Sequence, residues 1–164
     1  MKISNNTKGV ILAGGAGTRL SPITNVISKQ LLPVYNKPMI FLSLGLLLSI
    51  GIKEILIIVT PRDLKLFKSL LGSGKKFNCK LFYKTQTKPR GIAESIKLSK
   101  HFFTSKKIIL LLGDNFIFGN NLENIIRNAI NSEKGASIFT YSVSNPEHYG
   151  VLNIRNEKII NIIE

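Results

Sequence analysis

The chain has 164 residues and carries 23 Lys and Arg against 9 Asp and Glu, so its formal net charge is +14. Its length and its 44% hydrophobic content allow a core that buries about 70% of the unfolded chain's surface, which excludes intrinsic disorder. The single cysteine, Cys79, excludes an internal disulfide framework, a CxxC redox pair and a cysteine-based zinc site, and it favours a cytoplasmic location.

Short apolar runs along the chain predict buried strands. Three of them, at 10–13, 55–59 and 108–112, are continuous and rich in Ile, Leu and Val. Continuous runs are typical of parallel strands that are covered on both faces of a sheet. Further strand-like runs lie at 136–143 and 149–163, and Cys79 is predicted to lie buried in a strand.

Several segments between the predicted strands have helical periodicity. Thr60 and Asp63 have the spacing of a capping box, with Pro61 between them, which predicts a helix from about residue 61. Apolar residues recur every three or four positions over 121–132, which predicts a second helix. A similar but less regular pattern over 92–103 indicates a third.

Neither a membrane span nor a secretory signal is predicted. The longest uncharged run, Pro38 to Ile52, has 15 residues, whereas a span needs about 20, so we expect a buried helix there. Residues 1–7 are polar and lack the apolar stretch of a secretory signal. We therefore expect a short polar extension over 1–7 and one domain over 8–164, with no membrane partner.

The alternation of strand and helix predicts an α/β fold, a Rossmann-like and mostly parallel sheet with flanking helices. In such sheets ligands bind at the carboxyl ends of the strands. There the loop after the first strand carries Gly14, Gly15 and Gly17, whose backbone N–H groups can point at an anion. Asp114 follows the strand at 108–112, so an anion cradle and a carboxylate are predicted to converge in a nucleotide and metal site.

The residues alone leave alternatives open at these positions. The loop lacks a Walker A motif and has Leu20 where a dinucleotide fingerprint needs glycine, so an ordinary tight turn competes with a phosphate site. Asp114 could instead cap a turn, and Lys29 could be a solvated surface lysine. The high positive charge favours an anionic partner but does not choose among nucleotide, nucleic acid and acidic membrane.

Ordered motifs from Gly9 onward resemble those of the sugar-1-phosphate nucleotidylyltransferases, and within that family they are most similar to the thymidylyltransferases. The Lys-Gln-Leu-Leu-Pro form of the second motif is typical of that branch. The motifs are Leu12-Ala13-Gly14-Gly15-Ala16-Gly17-Thr18-Arg19-Leu20, Ser28-Lys29-Gln30-Leu31-Leu32-Pro33, Asn36-Lys37-Pro38-Met39-Ile40, Leu112-Gly113-Asp114-Asn115 and Asn145-Pro146-Glu147-His148-Tyr149-Gly150-Val151.

The resemblance implies Mg²⁺-dependent transfer of dTMP from dTTP to glucose 1-phosphate, which yields dTDP-glucose and pyrophosphate. It implies catalytic roles for Arg19 and Lys29 and a metal-binding role for Asp114. The other positions that it assigns are Leu12, Gly14, Gly15, Gly17, Thr18, Gln86 and Gly91 for nucleotide binding, and Tyr149, Gly150 and Glu164 for sugar binding.

The chain also departs from the family pattern. Arg90, Glu94 and Ser95 differ from the residues usual in the base-recognition segment. Relatives continue past Glu164 with a Lys-Pro pair and a second metal-binding aspartate, so we expect an incomplete domain whose turnover alone is near background. The expected protein partner is a second copy in a homo-oligomer or a complementing chain. The alternatives are a catalytically dead nucleotide-binding or partner subunit and, lowest, a basic nucleic-acid-binding protein, because no aromatic-basic interleaving is present.

Overall fold

The computed structural model describes residues 7–15, 17–88, 91–100, 107–132, 135–156 and 158–163. The described residues up to Ser132 form one compact unit, and those from Gly135 onward form a second.

The first unit is a parallel sheet with helices. Its elements are the strands β1 (Thr7–Ala13), β2 (Pro33–Val34), β3 (Lys37–Pro38), β4 (Glu54–Val59), β5 (Lys80–Thr85) and β6 (Lys107–Leu112), and the helices α1 (Ile40–Ser49), α2 (Leu64–Leu71), α3 (Ile92–Lys100) and α4 (Leu122–Asn131). β5, β4, β1 and β6 form one sheet in that order, and every neighbouring pair is parallel. The α/β class and the three predicted parallel strands are confirmed, and β1 begins at Thr7.

Apolar side chains cover both faces of this sheet, which is why its strands read as continuous apolar runs. On one face, Ile11 and Ile57 pack in the larger core cluster, to which α1, α2 and α4 contribute buried side chains. On the other face, Val10, Leu56 and Ile58 form a smaller cluster that includes Leu98 of α3. The helices predicted over 38–52 and 121–132 are confirmed as α1 and α4, and α3 confirms the third within its described part.

The predicted start of α2 is wrong by about three residues. The helix begins at Leu64, and residues 61–63 form a turn. The Asp63 carboxylate accepts hydrogen bonds from Thr60 Oγ1 at 2.6 Å and from the Arg62 guanidinium at 3.1 Å. These side-chain contacts stabilise the turn, so the helix begins only after it.

Two strand predictions are also wrong. Cys79 is buried as expected, but it lies in the bend before β5, where its backbone N–H donates to Gly74 O at 3.3 Å instead of to a neighbouring strand. The segment 136–143 forms no strand among the residues that the structure describes. Apolar residues supply strand propensity there, but a strand also needs a hydrogen-bonded neighbour.

The second unit contains an antiparallel hairpin of β7 (Val151–Arg155) and β8 (Lys158–Ile163), which confirms strands within 149–163. Asn156 at the turn has φ +49°, a left-handed conformation that asparagine tolerates well.

In the described part of the chain, no helix has the length and apolar character needed to cross a membrane.

The packing of α2 gives a prediction on stability. Leu71 is fully buried in the larger cluster, whereas Leu66 on the same helix is 44% exposed. Leu71→Ala should lower the free energy of unfolding by about 2–5 kcal/mol, because it removes buried methyl groups and leaves a cavity. Leu66→Ala should change it by about 0.5 kcal/mol or less. Urea denaturation measures both, and equal losses would contradict this packing.

Candidate functional site

The carboxyl ends of the four parallel strands meet at one edge of the sheet, where the loops that follow them lie side by side. Gly113 N donates to Leu12 O at 2.8 Å, which joins the ends of β6 and β1. Gln86 N donates to Val59 O at 2.8 Å and joins the ends of β5 and β4. The glycine loop, Gln86 and Asp114, although distant in sequence, therefore belong to one edge.

The glycine loop is closely packed at two of its three glycines. Gly14 is buried, and a Cβ at this position would lie 3.2 Å from Gln86 Oε1. Gly17 has φ +64°, and its Cβ would lie 2.9 Å from Thr24 Cγ2. Thr24 Oγ1 also donates to Gly17 O at 2.9 Å. The loop conformation thus needs glycine at position 17 for both its backbone angle and its contact.

Other predicted residues of the loop differ in exposure. Leu12 is partly buried and packs against the smaller core cluster. Gly15, Thr18 and Arg19 are exposed, and Arg19 lies in a short 3-10 turn that follows Gly17. The loop therefore presents backbone and a cationic side chain to solvent, while its first residues are packed at the end of the sheet.

Lys29 and Asp114 form an ion pair across 85 positions of sequence, with Nζ 2.9 Å from Oδ2. Both side chains are about one-third exposed, at 32% and 31%, so solvent and ligands can reach them. Gln30 holds this geometry: its Cγ lies 2.9 Å from where a Cβ of Gly113 would stand, and its Oε1 accepts a hydrogen bond from Ser28 at 2.6 Å. The close approach at Gly113 brings Lys29 to the carboxylate.

The two residues predicted to recognise the base lie between the end of β5 and the start of α3. Gln86 is 4% exposed, and its Nε2 donates to Glu94 Oε2 at 2.5 Å. Gly91 has φ +79° and lies at the start of α3. Ser95, the other described departure from the family pattern, is buried and donates to Ile92 O. Arg90 lies outside the described residues.

Sequence reasoning missed a hydrogen-bonded support beneath the glycine loop. Arg62 Nη1 donates to Thr24 O at 3.2 Å and to Asn25 O at 2.9 Å, while its guanidinium also pairs with Asp63, which is 1% exposed. Because Thr24 in turn contacts Gly17, the turn after β4 stabilises the loop after β1. The capping-box spacing marked Asp63, but a local motif gives no indication of a partner 37 or 38 residues away.

The structure describes the predicted sugar-side residues within the second unit. Tyr149 is 53% exposed, and its ring packs edge-to-face on Tyr141 with centroids 6.5 Å apart. Gly150 is exposed next to it. Their sugar-binding role stays a prediction, and Glu164 lies outside the described residues.

The donor set at Asp114 suits some metals and not others. Among the described residues, no group of three or more His, Cys, Asp or Glu side chains is placed to hold a metal ion. Fewer than three such side chains do not form the ligand cage that structural zinc or calcium needs. Asp114 does fit Mg²⁺, which binds through one or two carboxylates together with substrate phosphates and water.

Perturbed titrating groups lie away from this edge. Cys79 precedes β5, at the opposite end of the strand from Gln86. Burial raises the pKa of its thiol, an effect that the positive charge of Lys53 partly offsets. Burial also raises the pKa of Tyr83 to about 12, with a smaller contribution from Cys79. Both groups stay protonated near neutral pH, as buried structural side chains do.

The chain belongs to the nucleotidyl transferase family, whose model matches residues 8–164. It is 47% identical over 158 residues to a glucose-1-phosphate thymidylyltransferase of Xanthomonas campestris, covering 96% of this chain and 54% of the relative. An enzyme of the same name from Mycobacterium tuberculosis is 43% identical over 150 residues, covering 92% and 52%. The chain thus spans about half the length of these curated relatives.

Solved structures agree with this assignment. A Bacillus anthracis chain described as a glucose-1-phosphate thymidylyltransferase, in complex with sucrose, matches with a TM-score of 0.89 at 40% identity, covering 96% of this chain and 64% of that one. A UDP-glucose pyrophosphorylase matches with a TM-score of 0.62 at 20% identity, which shows a shared fold.

The glycine loop gives a second stability prediction. Gly17→Ala should lower the free energy of unfolding by about 1–2 kcal/mol for the left-handed backbone alone, with a further loss from the contact with Thr24. Gly15→Ala is the matched control, because nothing lies within 4 Å of its Cβ position. We expect a change of about 0.5 kcal/mol or less there. Urea denaturation of both variants checks this, and a silent Gly17→Ala would refute the described loop.

Proposed function

We propose that this chain is the nucleotide-binding part of a glucose-1-phosphate thymidylyltransferase, which transfers dTMP from dTTP to glucose 1-phosphate. The observation that carries the proposal is the approach of Lys29 to Asp114 at the sheet edge that also holds the glycine loop. A cation, a carboxylate and backbone donors together suit a triphosphate and its metal. The names of the similar proteins support the choice of substrates.

The triphosphate of dTTP would bind along the glycine loop. Backbone N–H groups of Gly14, Gly15, Gly17 and Thr18 can donate to phosphate oxygens, because close approach meets no side chain at the glycines. Arg19 is exposed beside them and would add a planar pair of donors to a phosphate. The buried contacts of Thr24 and Gly17 mean that little ordering is needed on binding.

In the proposed reaction, a phosphate oxygen of glucose 1-phosphate attacks the α-phosphorus of dTTP. A new phosphorus–oxygen bond forms as the bond to pyrophosphate breaks. Lys29 would stabilise the negative charge that builds on the transferring group. Asp114 and phosphate oxygens would hold Mg²⁺, which when bound neutralises charge on the departing pyrophosphate. Because Lys29 already neutralises Asp114, a cation that binds this carboxylate frees the lysine for phosphate.

The remaining predicted roles complete the proposal. Leu12 would support the nucleotide from the end of β1, and Gln86 and Gly91 would contact the thymine base. Tyr149, Gly150 and Glu164 would contact the sugar. The whole protein would act in the cytoplasm, as a homo-oligomer or with a complementing chain.

Ligand binding tests the proposal without requiring turnover. dTTP with Mg²⁺ should raise the melting temperature, because a ligand that binds only the folded state stabilises it, by about 2.7 kcal/mol at a hundredfold excess over Kd. Duplex DNA at physiological salt should not. Salt-sensitive DNA binding without any effect of dTTP would overturn the proposal in favour of a nucleic-acid-binding protein.

A variant at the metal position tests the role of Asp114. Asp114→Asn should weaken dTTP binding about tenfold or more in Mg²⁺, since a lost charged ligand costs about 1.5–3 kcal/mol. Binding without Mg²⁺ should be unchanged or tighter, because Lys29 loses its competing carboxylate. Glu123→Gln on the exposed start of α4 is the charge-matched control. Calorimetry that finds the same loss with and without Mg²⁺ would contradict the assignment.

A further inference from the structure

We propose that Glu94 is a positioning residue that fixes the side-chain amide of Gln86, and that this orientation selects a pyrimidine base carrying an N3–H donor. The inference rests on the proposed function, because it assumes that a nucleotide binds at this edge of the sheet. It goes further in assigning the choice between bases to a residue that departs from the family pattern.

The contact between Gln86 and Glu94 determines the orientation of the Gln86 amide. Gln86 is 4% exposed, and its Nε2 lies 2.5 Å from Glu94 Oε2. An ionised carboxylate only accepts hydrogen bonds, so the amide atom that faces it must be the nitrogen. The orientation of this amide therefore follows from the chemistry of its partner.

The oxygen of the amide faces the glycine loop. Gln86 Oε1 lies 3.2 Å from the position that a Cβ of Gly14 would occupy. Because Gly14 has no side chain, this acceptor stays close to the backbone that we propose binds the phosphates. Because Glu94 holds the nitrogen, the carbonyl oxygen stays beside Gly14, where we infer that it meets the edge of the bound base.

Both partners are themselves held in place. Gln86 N donates to Val59 O at 2.8 Å at the end of the sheet. Glu94 lies in the first turn of α3, whose Ser95 and Ser99 are fully buried. Each serine hydroxyl donates to the carbonyl three residues earlier, which satisfies its polarity in that buried position. The strand end and the helix therefore set the distance between the amide and the carboxylate.

A fixed acceptor distinguishes pyrimidines by their hydrogen-bonding edge. Thymine and uracil carry an N–H donor at N3, whereas cytosine carries an acceptor at N3 and an amino group at C4. At positions 3 and 4 the two edges have opposite patterns, and an amide that can rotate could match either. An amide held by a carboxylate matches one of them, so dTTP should bind better than dCTP. The same amide should not distinguish dTTP from dUTP.

The test is the ratio of dCTP to dTTP dissociation constants, measured by calorimetry with Mg²⁺. For the unmodified chain we expect a preference for dTTP of about tenfold or more, the effect of one unmatched polar contact. Glu94→Ala removes the acceptor, so the ratio should fall toward one. Glu94→Lys supplies a donor, which should draw Oε1 toward it, turn Nε2 to the site and shift the ratio further toward dCTP.

Matched controls separate this effect from charge and stability. Glu123→Ala and Glu123→Lys make the same charge changes at an exposed position of α4 and should leave the ratio unchanged. Added positive charge strengthens both triphosphates alike, so it cancels in the ratio. Melting temperatures without ligand show whether the variants fold. If Glu94→Lys does not fold, Glu94→Ala alone is used for the test.

The outcomes distinguish the inference from the function on which it rests. If the unmodified chain binds dTTP but shows no preference over dCTP, or if the ratio is unaltered in the Glu94 variants, the inference is overturned and the proposed function stands. If dTTP does not bind the unmodified chain, the proposed function is overturned and the inference with it.

Discussion

Parallel pairing of β1 with β4 on one side and β6 on the other is the constraint on which the rest of the structure depends. It brings the residues after each strand to one edge, although they lie up to about a hundred positions apart in sequence. Both faces of the sheet must then be covered, and the helices between strands do so. The segments that follow the strands lie beyond the strand ends and carry polar residues, and the buried ones among them, such as Asp63 and Gln86, are hydrogen-bonded.

Close contacts at glycines turn this general arrangement into a specific site. Gly113 lets Gln30 approach within van der Waals contact, and the neighbouring Lys29 then reaches Asp114. Gly17 adopts a left-handed backbone beneath Thr24, which Arg62 contacts from the turn after β4. Close backbone packing therefore brings these polar side chains within reach of one another.

The features that could be predicted from the sequence are those that periodicity and local motifs encode. Continuous apolar runs located β1, β4 and β6, and the family motifs marked Lys29 and Asp114. Their mutual contact followed only from the order of the strands. Partners such as Arg62 and Thr24 are joined by tertiary hydrogen bonds across 38 positions, and no local pattern encodes such a distance. The segment 136–143 shows the converse, since strand propensity without a pairing neighbour gave no strand.

The net charge of +14 is a poor guide to chemistry here, because what matters is where individual charges meet. Asp114 and Glu94 each contact a polar side chain to which we assign a role in nucleotide binding. Asp114 pairs with Lys29, a contact that we propose a cation replaces, and Glu94 accepts a hydrogen bond from the Gln86 amide, whose oxygen lies near Gly14. In a strongly basic chain, these two carboxylates orient a lysine and an amide, which a general excess of lysine does not do. In the site that we propose, selectivity for a particular nucleotide therefore depends on a few acidic residues.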